Sequence, residues 1–218
     1  MPDLLIDLPF SIFAEKLSWQ LQQPLPGYDA QYKMAREFRE HPVETERYHA
    51  NARLGAVLIL FYPEGNNINT VLIQRPTYEG VHSAQVAFPG GKKDESDNDL
   101  IETALREAEE EVGIKCNSVV VAGELTKLYI PPSNFLVTPV VGFCSRQPAF
   151  IPQEKEVDEI LEVNLNTLLK EDIISEKTIC LQHNINLKVK YYDIHGKTVW
   201  GATAMMIAEL NELLKRLS

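Results

Sequence analysis

The sequence predicts an α+β fold, a mixed β-sheet flanked by helices with an N-terminal helical arm. Short apolar runs bounded by turn residues recur from Arg53 to Ile194, and three segments carry helical periodicity. Neighbouring strands are mostly too close in sequence for crossover helices, which disfavours a doubly wound parallel sheet. The 218 residues are 44% hydrophobic and 24% charged, enough apolar surface for a sizeable core and about one domain plus an appendage. The composition changes near residue 50, so residues 1–50 are expected to form the arm and residues 51–218 the main domain.

The elements follow in chain order. From Asp7 to Gln22, Phe10, Phe13, Leu17 and Leu21 recur at three to four residues and mark one amphipathic helix, with Pro9 tolerated in its first turn. Pro24 to His49 carries three prolines and many charges and is expected to be an irregular or weakly helical arm packed on the main domain. LGAVLILFY, the turn-forming EGNNIN and TVLIQR then make a hairpin. After FPGG a helix is expected from about Asp97 to Val112. Further strands are VVVAGELT, FLVTPVVGF, EILEVNL, KTICL and LKVKYYDI, and a last helix runs from Trp200 to Leu217 with Met206, Leu210, Leu213 and Leu217 on one face.

Charge restricts the partners. The net charge of −10 disfavours holding nucleic acid or anionic lipid by bulk attraction, so a polyanionic small molecule would need a metal ion or a local basic pocket. Cys116, Cys144 and Cys180 show no Cys-x-x-Cys spacing and are expected to be buried thiols. MPDLLIDLPF lacks the basic start of a secretory signal, and no apolar run reaches about 18 residues, so no membrane partner and a cytoplasmic location are expected.

Residues 94–111 hold nine acidic side chains against the single Arg106. At about 100° per residue, Ile101, Leu105, Ala108 and Val112 form the buried stripe, while Glu107, Glu110 and Glu111 share an arc of about 100° elsewhere and Glu109 projects apart. Carboxylates at such spacings repel by ~0.2–0.5 kcal/mol per exposed pair. A hard divalent ion shared with substrate phosphates would turn that repulsion into a site; the alternative is an acidic, solvated helix face. Gly90 and Gly91 before the helix permit close backbone approach to a ligand, and Gly113 suits the position just past its end.

Arg106-Glu-Ala-Glu-Glu-Glu-Val-Gly-Ile114 resembles the second half of the Nudix box. The Asp94–Asp97 pair, Leu72-Ile-Gln-Arg75, HSAQVAFPGG, VTPVVG, Glu156-Val157 and Trp200-Gly-Ala-Thr-Ala204 are similar to the coenzyme A pyrophosphatase branch of that family. Pro76, Gly80 and Ala84 stand where that branch has Ser, Arg and Gly. The resemblance spans roughly Arg53 to Leu217 and implies a Nudix-like fold and a metal-dependent hydrolase of nucleotide diphosphates. It implies Glu107, Glu110 and Glu111 as ligands of Mg²⁺ or Mn²⁺, with Glu110, Glu111 and Glu156 catalytic.

Substrate contacts are expected from Arg75, His82, Gln85, Gly90 and Gly91, and Arg75 has the alternative of pairing with a carboxylate. Arg106 is expected to orient a box carboxylate, Asp97 to cap the helix, with ordering of the preceding loop as its alternative, and Tyr129 is a candidate base-stacking ring. Coenzyme A or its thioesters are the first expectation for the substrate. ADP-ribose or NADH-type dinucleotides are the alternative, and a catalytically silent nucleotide-sensing module is the reading from another class. Self-association as a homodimer is left open.

Overall fold

The computed structural model describes every residue except 1–5, 36–45, 78–83, 182–184 and 218. Among the described residues, the strands are β1 (Arg53–Glu64), β2 (Asn67–Gln74), β3 (Val86–Ala87), β4 (Gly90–Lys92), β5 (Val120–Glu124), β6 (Leu128–Ile130), β7 (Phe135–Phe143), β8 (Glu159–Asn164), β9 (Ile174–Leu181), β10 (Ile185–Ile194) and β11 (Lys197–Trp200). The α-helices are α1 (Phe10–Leu21), α2 (Gly27–Gln31), α3 (Leu100–Val112), α4 (Leu165–Leu168) and α5 (Gly201–Leu214).

The expected mixed sheet is present. Its central order is β3-β2-β1-β7-β5; β4 adds to β1, β6 to β7 and β8 to β2, while β11-β10-β9 form a second, antiparallel sheet. The continuous apolar run of β1 becomes the centre of the main sheet. It pairs antiparallel with β2 through the expected hairpin and parallel with β7 over Arg53–Phe61. That parallel pair joins strands 70 residues apart in the chain, so only the assembled fold reveals it.

Alternation along β1 separates two cores. Ala56, Leu58, Leu60 and Tyr62 pack with Ala104, Ala108 and Val112 of α3. Ile59 and Phe61 point the other way, into a larger core with Phe13 and Leu17 of α1, most of α5, and Tyr192 and Val199 of the second sheet. Phe13 meets Phe61 edge-on at 5.3 Å and is fully buried, a burial worth about 1.5–3 kcal/mol. Of the expected α3 stripe, Ala108 and Val112 are buried, whereas Ile101 and Leu105 are half-buried and Ala104 takes the inner position.

Three expectations are corrected. The last helix stops at Leu214, with a 3₁₀ turn to Leu217, and most of its circumference is buried because the main core, α2 and the second sheet surround it. Of the three thiols only Cys144 is buried; Cys116 is half-buried, and Cys180 is exposed because β9 is solvated along most of its length. Helix α3 starts at Leu100, not Asp97, and Asp99 caps it by accepting from the Glu102 amide at 2.9 Å.

The described part of the arm is tied to the main sheet by Glu209 of α5, which is completely buried. Its carboxylate accepts from Gly27 N (3.1 Å), Gln31 Nε2 (2.8 Å), Thr126 N (3.3 Å) and Thr126 Oγ1 (2.6 Å).

Candidate functional site

The site begins with a glycine requirement. At Gly90, φ is +154°, and a Cβ there would lie 2.3 Å from the Ala56 carbonyl and 2.5 Å from Val57 Cα. At Gly91 a Cβ would lie 2.4 Å from Glu107 Oε2. The pair lets β4 run against β1 on one side while leaving room for the carboxylate of α3 on the other. The capping of α3 fixes its phase, so Glu107 and Glu111 both come to this strand.

Glu111 is the buried member, 1% exposed. Its Oε2 accepts from Gly90 N at 2.7 Å and its Oε1 lies 2.9 Å from Arg75 Nη2. Arg75 Nη2 also donates to the Gly90 carbonyl at 2.7 Å, closing a ring of three residues. Burial pushes the Glu111 carboxyl up to about 7, although Arg75 and the Gly90 amide pull it down; the charges of Glu107 and Glu156 push it up further. Of its two expected roles, Arg75 takes the pairing with a carboxylate.

The second arginine works on the outer side. Arg106 grips Asp97 with Nε and Nη2 (2.9 and 3.0 Å), reaches Glu107 Oε1 at 3.0 Å and Glu110 Oε2 at 3.0 Å, and donates to the Lys92 carbonyl. It orients box carboxylates, as expected. Asp97 does not cap the helix. It accepts from Arg106, the Asp94 amide and the Thr103 hydroxyl, and these bonds, led by Arg106, hold its carboxyl well below the ordinary range. The cap was legible in the sequence as Asp99-x-x-Glu102.

Glu107 is half-buried and its carboxyl is raised, first by burial and then by Glu110 and Glu156, against the opposing pull of Arg106. Glu110 is the solvent-facing member, its side chain 57% exposed. Glu109 leaves this face. It accepts from the Cys116 amide and pairs with Lys115, which lowers its carboxyl to about 2, so its role is to fasten the helix end.

Glu156 reaches the cluster through a return of the chain that local sequence cannot show. The last carbonyls of α3, on Glu111 and Val112, accept from Gln153 N (2.9 Å) and Ile151 N (3.0 Å). The following turn, closed by Glu156 N on the Gln153 carbonyl at 2.9 Å, holds Glu156 close enough to act on both Glu107 and Glu111.

Gln85 is half-buried, and its carbonyl accepts from Arg75 N at 3.0 Å. His82 lies outside the described residues. Lys92, Lys93, Asp94, Glu95, Arg106 and Glu107 line a cavity of about 420 Å³.

The candidate donors are four carboxylates, the chemistry that hard divalent cations take. Burial and mutual repulsion raise two of them, so an added cation would relieve an existing cost, and the residues fit such an ion. Among the described residues no three acidic, His or Cys side chains are drawn into a ready cage; Arg75 and Arg106 supply the counter-charge.

Comparison with known proteins follows the same lines. The NUDIX domain model matches residues 52–181. The uncharacterised Nudix hydrolase NudL of Yersinia enterocolitica is 36% identical over 196 residues, 88% of this chain and 87% of its own. NudL of Pectobacterium atrosepticum, also uncharacterised, is 42% identical over 132 residues, 59% of this chain and 66% of its own. The crystal structure of the Nudix hydrolase RenU from M. smegmatis shares the fold at a TM-score of 0.50 and 18% identity, covering 77% of this chain and 88% of that one.

Proposed function

The chain belongs to the Nudix family of hydrolases, and on that premise we propose that it cleaves the diphosphate linkage of coenzyme A or its thioesters with the help of Mg²⁺ or Mn²⁺. The observation that supports a metal-dependent hydrolase is the placing of Glu107 against Gly91, where no Cβ fits, within electrostatic reach of Glu110, Glu111 and Glu156. Coenzyme A as substrate is supported by HSAQVAFPGG and by the segments after α3 that resemble the coenzyme A branch.

Glu107, Glu110 and Glu111 would hold the ion, and Arg75, paired to Glu111, and Arg106, paired to Glu107 and Glu110, orient those carboxylates beforehand. A bound Mg²⁺ or Mn²⁺ supplies Lewis acidity and offsets the charge of the diphosphate. Glu156, on an exposed turn, accepts the proton of the attacking water, and Glu110 steadies that water from the helix. Gln85, Gly90 and Gly91 line the approach of the phosphates, with His82 in the segment preceding them. Water adds across one P–O bond, and coenzyme A leaves as a 3′,5′-bisphosphate nucleotide and 4′-phosphopantetheine.

A substrate panel at equal concentration with Mg²⁺ tests this. Coenzyme A should turn over fastest, and faster than its 3′-dephospho form by about one to two decades of kcat/KM, the worth of a contact to a charged phosphate. Faster hydrolysis of ADP-ribose or NADH would transfer the proposal to that class, and no hydrolysis of any member would favour the silent sensing module.

A further inference from the structure

The sheet carries an apolar strip beside the acidic helix that neither core accounts for. Leu54 of β1 lies opposite Leu136 of β7, and Leu136 lies opposite Tyr129 of β6. Residues opposite one another on neighbouring strands share a face, so these three form a row across the sheet. By the alternation of β1, Leu54 is on the side of Ala56 and Leu58, the side covered by α3. Leu54 is 41% exposed, and Leu136 and Tyr129 are half-buried, yet none of the three belongs to either core.

The strip is continuous with the carboxylate site. Lys93, which lines the cavity beside Glu107, donates its amide to the Leu54 carbonyl at 2.9 Å. Gly91, on which Glu107 rests, is opposite Ala56, two residues along β1 from Leu54. From β4 through β1 and β7 to β6 is three strand spacings, about 14 Å at ~4.8 Å each. An extended nucleoside diphosphate covers most of that distance, with its outer phosphate at one end and its base toward the other.

The ring at the far end is held in place. Tyr129 Oη donates to Asn134 Oδ1 at 2.9 Å, Asn134 Nδ2 donates to the Asn51 carbonyl at 3.1 Å, and the His49 ring packs 5.5 Å from that of Tyr129 at 49°. Asn134 sits at φ +51°, a conformation asparagine tolerates better than most residues, so the anchor is built into the loop. A flexible acyl or pantetheine arm requires only apolar area, whereas an oriented aromatic ring suits a flat, aromatic ligand.

We propose that Leu54, Leu136 and Tyr129 form the base-binding subsite of this enzyme, a platform on which the purine of the nucleotide stacks while its phosphates lie at the Glu107 cluster. The proposal rests on the reading of the substrate as a nucleotide diphosphate, and the test separates the two. AMP, ribose 5-phosphate and 4′-phosphopantetheine are titrated into metal-free protein by calorimetry, using the native chain, Tyr129→Phe, Tyr129→Ala and Leu54→Glu. The fold of each variant is checked by circular dichroism and melting temperature.

Base–aromatic stacking is commonly worth a decade of affinity or more. Tyr129→Ala and Leu54→Glu should therefore weaken AMP binding about tenfold and leave ribose 5-phosphate unchanged, with Tyr129→Phe close to native. In turnover, Tyr129→Ala should raise KM with little change in kcat. Equal AMP affinity in native and Tyr129→Ala protein, or equal loss of AMP and ribose 5-phosphate, overturns the platform. So does a loss confined to 4′-phosphopantetheine, which would make the strip the site of the non-nucleotide arm. If no diphosphate is hydrolysed but AMP binding still depends on Tyr129, the platform stands and the proposed reaction falls.

Discussion

Arg75 lies 2.9 Å from Glu111, whose carboxylate is 1% exposed, and the same guanidinium bonds the Gly90 carbonyl at 2.7 Å. One cation thus joins the end of β2, the glycine strand and the acidic helix. Removing it leaves a buried carboxylate with the Gly90 amide as its remaining donor. Arg75→Met should destabilise the protein by about 2–3 kcal/mol, less than a fully buried pair because Arg75 is 23% exposed. Glu111→Gln should cost less, since it removes the charge while keeping the shape. Chemical denaturation of both single variants and the double variant should give a coupling of about 1 kcal/mol or more, and additive effects would contradict the pairing.

Metal dependence divides the box glutamates by exposure. Chelator should abolish hydrolysis, and Mn²⁺ at about one hundred times its Kd should stabilise by about 2.7 kcal/mol, or roughly 5–10 °C in Tm. Glu110→Gln should lose kcat by orders of magnitude with its metal-free Tm unchanged, because that side chain is 57% exposed. Glu109→Gln should do the reverse, keeping kcat and slightly lowering Tm, since its bonds fasten Cys116 and Lys115. Full turnover in excess chelator, or equal damage to kcat from both substitutions, would sink this division of roles.

Gly91→Ala tests the fit between β4 and Glu107. The new methyl would fall 2.4 Å from Glu107 Oε2, the far end of a side chain that can swing away. The fold should survive with activity down about 10–100-fold. Gly90→Ala meets backbone instead, at the Ala56 carbonyl and Val57 Cα, and should unfold the protein or lower Tm severely. Native turnover by Gly91→Ala would mean that Glu107 has no fixed place in the reaction.

Ala84 occupies left-handed backbone at φ +54°, a conformation that glycine adopts without strain. Relieving an alanine there gains about 1–2 kcal/mol, and the extra freedom of glycine in the unfolded chain returns about 0.4–1 of it. Ala84→Gly should raise stability by up to about 1.6 kcal/mol, and Ala84→Val should lower it. A destabilising Ala84→Gly in urea melts would count against the strained turn.

What could be read from the sequence was what local pattern controls. The β1–β2 hairpin, the acidic helix and the separation of Glu109 from its neighbours follow from periodicity and turn chemistry within a few residues, and the orienting role of Arg106 follows from the resemblance to the Nudix box. The Arg75–Gly90–Glu111 ring spans 36 residues of chain and the approach of Glu156 depends on a loop returning to the helix end, so neither has a local signature. The start of α3 differs from the expected one for another reason: several acidic residues can cap a helix at this point, and the tertiary pull of Arg106 takes Asp97 out of that competition.

Glu209 provides the last test, on the N-terminal arm. It is completely buried, and four donors from Gly27, Gln31 and Thr126 converge on its two oxygens. Glu209→Ala would leave a buried amide side chain, two backbone N–H groups and a hydroxyl without that acceptor, a loss of about 3–5 kcal/mol. In a domain of this size that is roughly 6–20 °C in Tm. Because Glu209 packs in the core on the sheet face opposite α3, kcat below the transition should stay near native. Limited proteolysis should release the segment around α1 and α2 before the sheet is cut. If the main sheet is cleaved first, or if kcat falls in step with Tm, the arm contributes to the site itself and Glu209 is more than its anchor.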